Sequence, residues 1–322
     1  MKRASIIGTG SYVPKKVLTN FDLEKIVDTT NEWIMERTGI RERRIADKTE
    51  ATSDLAFEAA KRALEAAKID PKELELIIVG TSSPDMLFPS TACIIQDKIG
   101  AVNAAAFDVS AACTGFNYAL AAAASFIESG AYNNVMVIGA DTLAKYLDWT
   151  DRNTCILFGD GAGAVILKAA SDGSGVLASY LGAEGSGGKY LIMPGGGSRD
   201  PEAKKRYIWM NGKEVFKFAV KVLPKCVKAV LEGAGLKISD ISLLIPHQAN
   251  TRIIDFALKS FGLSKDKVYV NLDRYGNTSA ASIPIALDEA SKEGRIKRGD
   301  IVVLAGFGGG LTYGANVVKW SQ

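Results

Sequence analysis

Short β-branched runs alternate along the chain with longer stretches in which apolar residues recur at helical spacing. The runs at 76–79, 135–138, 164–167, 243–245, 268–270 and 301–304 read as strands. The stretches at 53–68, 91–99, 114–129, 214–232, 251–261 and 280–292 read as helices. Thr29-Thr30-Asn31-Glu32 reads as a capping box opening a short helix that carries Trp33 and Arg37. Strands alternating with helices predict an α/β fold.

The two halves share one rhythm. Residues 74–80 align with 241–247 at an offset of 247 − 80 = 167, and 135–139 with 302–306 at 306 − 139 = 167. Between these strands each half has another strand, a turn and an Ala-rich helix. The pattern predicts a duplicated α/β unit with halves at 1–170 and 171–322; two unrelated α/β halves are the competing reading. Ligands of α/β folds gather at the carboxyl ends of strands. That draws attention to Cys113, His247 and Asn277, each placed just after a strand or at a strand–helix junction.

Composition narrows the chemistry. A net charge of +3 and no basic block interleaved with aromatics give no support for nucleic acid. No run approaches 18 apolar residues, so no membrane span is expected, and the opening residues do not read as a signal peptide. Cys93, Cys113, Cys155 and Cys226 lack metal-ligand spacing, so no metal site is expected, and four free thiols in a reducing cytoplasm are. His247 is the only histidine, which excludes a two-histidine metal site and a Cys-His-His centre within one chain.

Cys113 lies among small residues just before a long Ala-rich helix. A helix N-terminus favours thiolate, so this position predicts a lowered thiol pKa; core filler is the alternative, and it fits Cys93, Cys155 and Cys226 better. Asn277, after a glycine turn, reads either as a structural cap or, with His247, as a neutral hydrogen-bond donor to a carbonyl oxygen. The string Gly306-Phe-Gly-Gly-Gly310 is no phosphate loop and reads as an oxyanion site or a plain hairpin turn. Lys213, Lys217 and Lys221 share one helix face, either solvated or facing an acidic partner.

These strings together resemble β-ketoacyl-acyl-carrier-protein synthase III: Ala-Ala-Cys113-Thr-Gly-Phe, Pro-His247-Gln-Ala-Asn, Tyr-Gly-Asn277-Thr-Ser-Ala-Ala-Ser and the glycine string, in family order over essentially the whole chain. The resemblance implies a thiolase-like fold of duplicated αβαβα halves in five layers, and a homodimer. It implies Cys113 as nucleophile, His247 and Asn277 as the decarboxylation pair, and the Cys113 and Gly309 amides as oxyanion hole. It further implies that Trp33 and Arg152 sandwich the coenzyme A adenine, with Arg37, Thr38, Gly212 and Asn250 also binding coenzyme A. Leu143 and Phe158 would line the acyl pocket and Phe88 would close the partner subunit's. Lys217, Arg252 and Lys259 would dock acyl carrier protein.

The implied reaction condenses a short acyl-CoA, acetyl-CoA being the expected primer, with malonyl-acyl carrier protein, and needs no cofactor beyond its substrates. Two readings compete: a related enzyme of secondary metabolism with another starter or acceptor, and a non-catalytic acyl-thioester binding protein on the same fold.

Overall fold

The computed structural model describes residues 2–203 and 206–322. Two sheets carry the architecture. The first is ordered Arg3–Tyr12, Gly161–Ala170, Asn134–Asp141, Leu76–Gly80 and Ala105–Val109. The second is ordered Gly175–Ala183, Thr312–Lys319, Ile301–Gly308 and Leu243–Pro246. Parallel strands, three in the first sheet and two in the second, are extended on one side by two antiparallel strands in each.

The registers of the parallel pairs coincide. Leu76 faces Val135 in the first sheet and Leu243 faces Val302 in the second, so 243 − 76 and 302 − 135 both equal 167. The two helices after the site turns obey the same relation: one opens at Gly115 and the other at Ser282.

These two helices form the middle layer. Phe116, Leu120, Ala123 and Ile127 of the first, with Ile283, Ala286 and Leu287 of the second, share one core with Ile78 and Val137 of one sheet and Ile245 and Leu304 of the other. Each such fully buried large side chain contributes roughly 1.5–3 kcal/mol. Alanine favours the helix and keeps it thin, and glycine brings it closer. A Cβ on Gly80 would lie 2.3 Å from the Gly115 carbonyl carbon, so the helix start is pressed directly onto the strand end.

The outer faces are covered by amphipathic helices. Thr52–Ala67 packs Leu55, Ala59, Ala60 and Ala63 on the first sheet. Gly212–Gly233 packs Val215, Ala219, Val222 and Val227 on the second, beside Thr251–Phe261. Helices, sheet, helices, sheet, helices: this is the five-layered thiolase-like arrangement.

Several local expectations are corrected. Residues 268–270 form no strand; Val268 makes only an isolated parallel bridge to Leu244. The strands Arg3–Tyr12, Gly175–Ala183 and Thr312–Lys319 were not expected, because Gly, Ser, Thr and Ala blur their apolar alternation. The Asn31–Thr38 helix is capped by Thr30, whose hydroxyl accepts from the Trp33 amide at 3.1 Å, so there is no Thr29–Glu32 capping box. Cys93 is exposed rather than core filler, while Cys155 and Cys226 are buried.

Candidate functional site

Cys113 sits in a short 3₁₀ turn, Ala112–Thr114, wedged between a strand end and the Gly115–Glu128 helix. The preceding Ala112 has φ 48°, a left-handed conformation that costs a non-glycine residue about 1–3 kcal/mol. The opposite turn, Ser279–Ala281, begins in the same way, with Ser279 at φ 51°. The two positions are again 279 − 112 = 167 apart. A paired outlier of this kind marks a site held in place by its surroundings.

Two cavities meet at Cys113. One, of about 300 Å³, runs past Leu143, Phe158, Met193 and Ile208 and is walled on the other side by Ser279 and Gly309. The other, of about 130 Å³, is lined by His247, Asn277, Phe307 and Gly308 at its inner end and by Gly212, Phe216 and Asn250 farther out. The nucleophile candidate therefore faces an apolar chamber on one side and a polar pair on the other.

Local bonding fixes that pair. His247 follows the Leu243–Pro246 strand, and its backbone N–H donates to the Ala305 carbonyl at 2.8 Å. Its Nδ1 lies 2.6 Å from the Ser282 hydroxyl, and its ring meets Phe307 edge-on at 5.4 Å. The Ser282 oxygen also accepts from the Gln248 amide at 3.4 Å; when its own proton goes to Nδ1, the ring proton stands on Nε2. Burial holds the His247 pKa down to about 3, so the imidazole is neutral.

Asn277 is clamped through its backbone, its N–H donating to Leu157 at 2.8 Å and its carbonyl accepting from Gly159 at 3.0 Å. Its side-chain oxygen accepts from the Ser279 amide at 2.9 Å, which leaves the Nδ2 hydrogens for the cavity. Asn277 thus both caps a turn and presents a donor.

The expected lowering of the Cys113 pKa is overturned. Burial pushes the thiol up to about 12, against partial relief from the Ser279 hydroxyl 3.4 Å away and from the residue's own amide. The helix start favours thiolate, but loss of water costs more. Sequence reasoning missed this and missed Ser279, Ser282, Gly308 and Asp141. A Cβ on Gly308 would fall 2.6 Å from the Cys113 nitrogen. The glycine string forms the tight turn Gly309–Leu311 between paired strands and leans its backbone onto Cys113.

The remaining residues fall into three regions. Around Trp33, the Arg37 and Arg152 guanidinium carbons lie 4.4 and 5.0 Å from the indole centroid, and Arg152 is also bonded to the Asp28 carbonyl at 2.8 Å. Asn250 donates to the Arg37 carbonyl at 2.8 Å, and the buried Thr38 hydroxyl donates to Ile34 at 2.7 Å. Beyond the outer cavity, Lys217, Arg252 and Lys259 are exposed; Arg252 stacks on Phe216 at 5.6 Å and Lys217 is paired with Glu214 at 2.7 Å. Phe88 is 84% exposed at an apolar tip with Met86 and Leu87, and does not line the cavities of its own chain. Among the described residues no cluster of His, Cys, Asp or Glu is suited to a metal ion, and no helix is long and apolar enough to cross a membrane.

Two family models match, "3-Oxoacyl-[acyl-carrier-protein (ACP)] synthase III" over residues 107–185 and its C-terminal model over 231–320. The chain is 61% identical to a protein of Caldanaerobacter subterraneus subsp. tengcongensis named beta-ketoacyl-[acyl-carrier-protein] synthase III, covering 99% of this chain and 98% of that one. Among solved structures, the 3-oxoacyl-[acyl-carrier-protein] synthase III of Aquifex aeolicus superposes with a TM-score of 0.94 at 52% identity, covering 98% of this chain and all of that one. The priming β-ketosynthase of the R1128 polyketide pathway superposes with a TM-score of 0.93 at 36% identity, over 99% and 97% of the two chains.

Proposed function

Because this chain belongs to the 3-oxoacyl-[acyl-carrier-protein] synthase III family, we propose that Cys113, His247 and Asn277 carry out its acyl transfer and condensation. The chain is an acyltransferase of fatty-acid synthesis, catalysing the initiating condensation. The observation that supports this residue assignment is the shared cavity: the sulfur, a neutral imidazole and a fixed carboxamide line one space.

In the first stage Cys113 sulfur attacks the carbonyl of a short acyl-CoA. The new C–S bond forms, the old one breaks, and the thiol proton leaves with coenzyme A. The acyl chain lies in the apolar chamber of Leu143 and Phe158. In the second stage the carboxylate of malonyl-acyl carrier protein leaves as CO₂. The electron pair moves onto the thioester oxygen, held by His247 Nε2–H and Asn277 Nδ2–H; one such donor contributes about 3 kcal/mol. The resulting carbon attacks the acyl-cysteine, the oxyanion formed there accepts from the Cys113 and Gly309 amides, and collapse returns the electron pair to sulfur, which takes up a proton from solvent to restore the thiol. Neither donor titrates in the working range. They polarise without exchanging a proton.

Acetyl-CoA is the primer in this reading. The CoA adenine stacks at Trp33, and since Arg152 rests on the same indole, a purine between them requires Arg152 to leave Asp28. Two stacking layers of about 3.5 Å each exceed the present spacing. Gly212 and Asn250 flank the pantetheine path, with Arg37 and Thr38 behind it. Lys217, Arg252 and Lys259 receive the acidic carrier protein around the mouth. Phe88 reaches the acyl chamber of a partner subunit, making the enzyme a homodimer of the cytoplasm that uses no cofactor. Each chain divides into halves at 1–170 and 171–322, the first bringing Cys113 and the second His247, Asn277 and Gly309.

Peptide-resolved mass spectrometry after mixing with acetyl-CoA tests the assignment. An acetyl adduct on Cys113, absent in Cys113→Ala, is expected; an adduct that survives that substitution overturns it.

A further inference from the structure

Ser279 is the residue at which the site's parts converge. Its backbone N–H holds Asn277 Oδ1 at 2.9 Å, and its hydroxyl lies 3.4 Å from Cys113 sulfur. The neighbouring Ala280 N–H donates to Asp141 Oδ2 at 3.2 Å, and the Ser279 side chain acts against the rise that burial gives that carboxyl's pKa. The other carboxylate oxygen of Asp141 accepts from Thr81 and Ser83 hydroxyls and from the Ser82 and Ser83 amides at 2.8–3.1 Å. Asp141 is fully buried and anchored. The hydroxyl of Ser279 has Cys113 sulfur as its acceptor, an atom whose charge changes during catalysis.

The backbone argues that the hydroxyl is there for use. At φ 51° glycine would be unstrained, and glycine would offer the same N–H to Asn277. In the equivalent place of the first half, Ala112 adopts the same conformation without any polar group. What serine adds over either is one hydroxyl, and that hydroxyl reaches the sulfur across the boundary between the halves.

We propose that Ser279 is a further catalytic residue of the reaction, donating a hydrogen bond from its hydroxyl to Cys113 sulfur whenever that atom carries negative charge. The inference rests on the function proposed above. When the condensation intermediate collapses, the C–S bond breaks and the electron pair goes to a sulfur deprived of water. The Ser279 O–H meets it with its hydrogen, and no proton passes from serine to sulfur.

The test is Ser279→Gly beside Ser279→Ala in the full-length protein. The rate of Cys113 alkylation by iodoacetamide is followed against pH by peptide mass spectrometry, with exposed Cys93 as internal control. Loss of a hydrogen bond to a charged sulfur is expected to slow Cys113 alkylation at fixed pH by about tenfold or more and leave Cys93 unmoved. Acylation by acetyl-CoA slows in step, in kcat rather than KM. Ser279→Gly keeps the N–H and removes the strain, so it remains informative where Ser279→Ala fails to fold. A Cys113 profile in the folded glycine variant that superposes on the parent overturns the proposal. Failure of the parent itself to acylate at Cys113 overturns instead the function on which it rests.

Discussion

Asp141 and Gly308 occupy equivalent places in the two halves, 308 − 141 = 167 residues apart, and do opposite things there. Asp141 presents a carboxylate oxygen to the Ala280 amide at 3.2 Å. Gly308 presents only backbone to the Cys113 amide, the counterpart of Ala280 at 280 − 113 = 167. One half fills that position with a buried carboxyl group whose pKa burial raises. The other has a bare glycine where a side chain would intrude, and in the proposed mechanism a substrate oxyanion takes the corresponding place.

Gly308→Ala tests that arrangement. The added Cβ falls 2.6 Å from the Cys113 nitrogen, inside any tolerated contact, and must displace the amide proposed to serve the oxyanion. Losing one such donor is expected to lower kcat for acyl-enzyme formation about 10²–10³-fold. Cys113 should still react with a small alkylating agent, because that reaction builds no oxyanion and does not use the amide. Stopped-flow acylation and alkylation measured in parallel separate the two; acylation at the parent rate contradicts the role.

The proposed decarboxylation pair separates from the proposed nucleophile in the same way. His247→Ala and Asn277→Ala are each expected to lower malonyl decarboxylation about 10²–10³-fold, while acetyl transfer to Cys113 changes far less. Carbon dioxide release from malonyl-acyl carrier protein and the acetyl-Cys113 mass report the two stages independently. Ser282→Ala removes the 2.6 Å partner of Nδ1 and frees the ring to adopt the other tautomer. It is expected to fall between the parent and His247→Ala.

How much of this was legible beforehand depends on where the signal lay. Helices such as Thr251–Phe261, with their strong periodicity, were readable to the residue. Cys113, His247 and Asn277 stood out together, because their strings, each weak alone, occur in one family order along the chain. Asp141 and Ser279 carried no such signal: they are 279 − 141 = 138 residues apart and meet only because two sheets converge. The 167-residue offset was the one available pointer, since it lays Ser279 on Ala112 and Asp141 on Gly308. The Cys113 pKa was misjudged for a related reason. A helix terminus is visible in sequence, whereas the depth at which it is buried is not.

The basic rim has a distinct kinetic signature. Lys217→Glu or Arg252→Glu is expected to raise KM for malonyl-acyl carrier protein by about tenfold at low salt and leave acetyl-CoA acylation unchanged. Raising ionic strength should shrink the difference, since exposed charges are screened. Equal damage to both stages would show that these side chains serve the site rather than the carrier.

His247 also ties stability to pH. Its folded pKa of about 3 lies below the ordinary value of 6.5, entirely through burial. Below pH 6.5 the unfolded chain takes up a proton that the folded chain refuses. The contribution of the neutral ring is therefore complete above pH 6.5 and is lost as pH falls toward 3, at up to about 1.4 kcal/mol per unit. Urea denaturation at pH 7.5, 6 and 5 measures the slope, and His247→Gln, which cannot titrate, should flatten it by that amount. The decarboxylation stage should meanwhile show no acid limb near pH 6.5, because the donor is neutral throughout. A limb there, abolished in His247→Gln, would mean that the imidazole is exposed to water and charges during turnover.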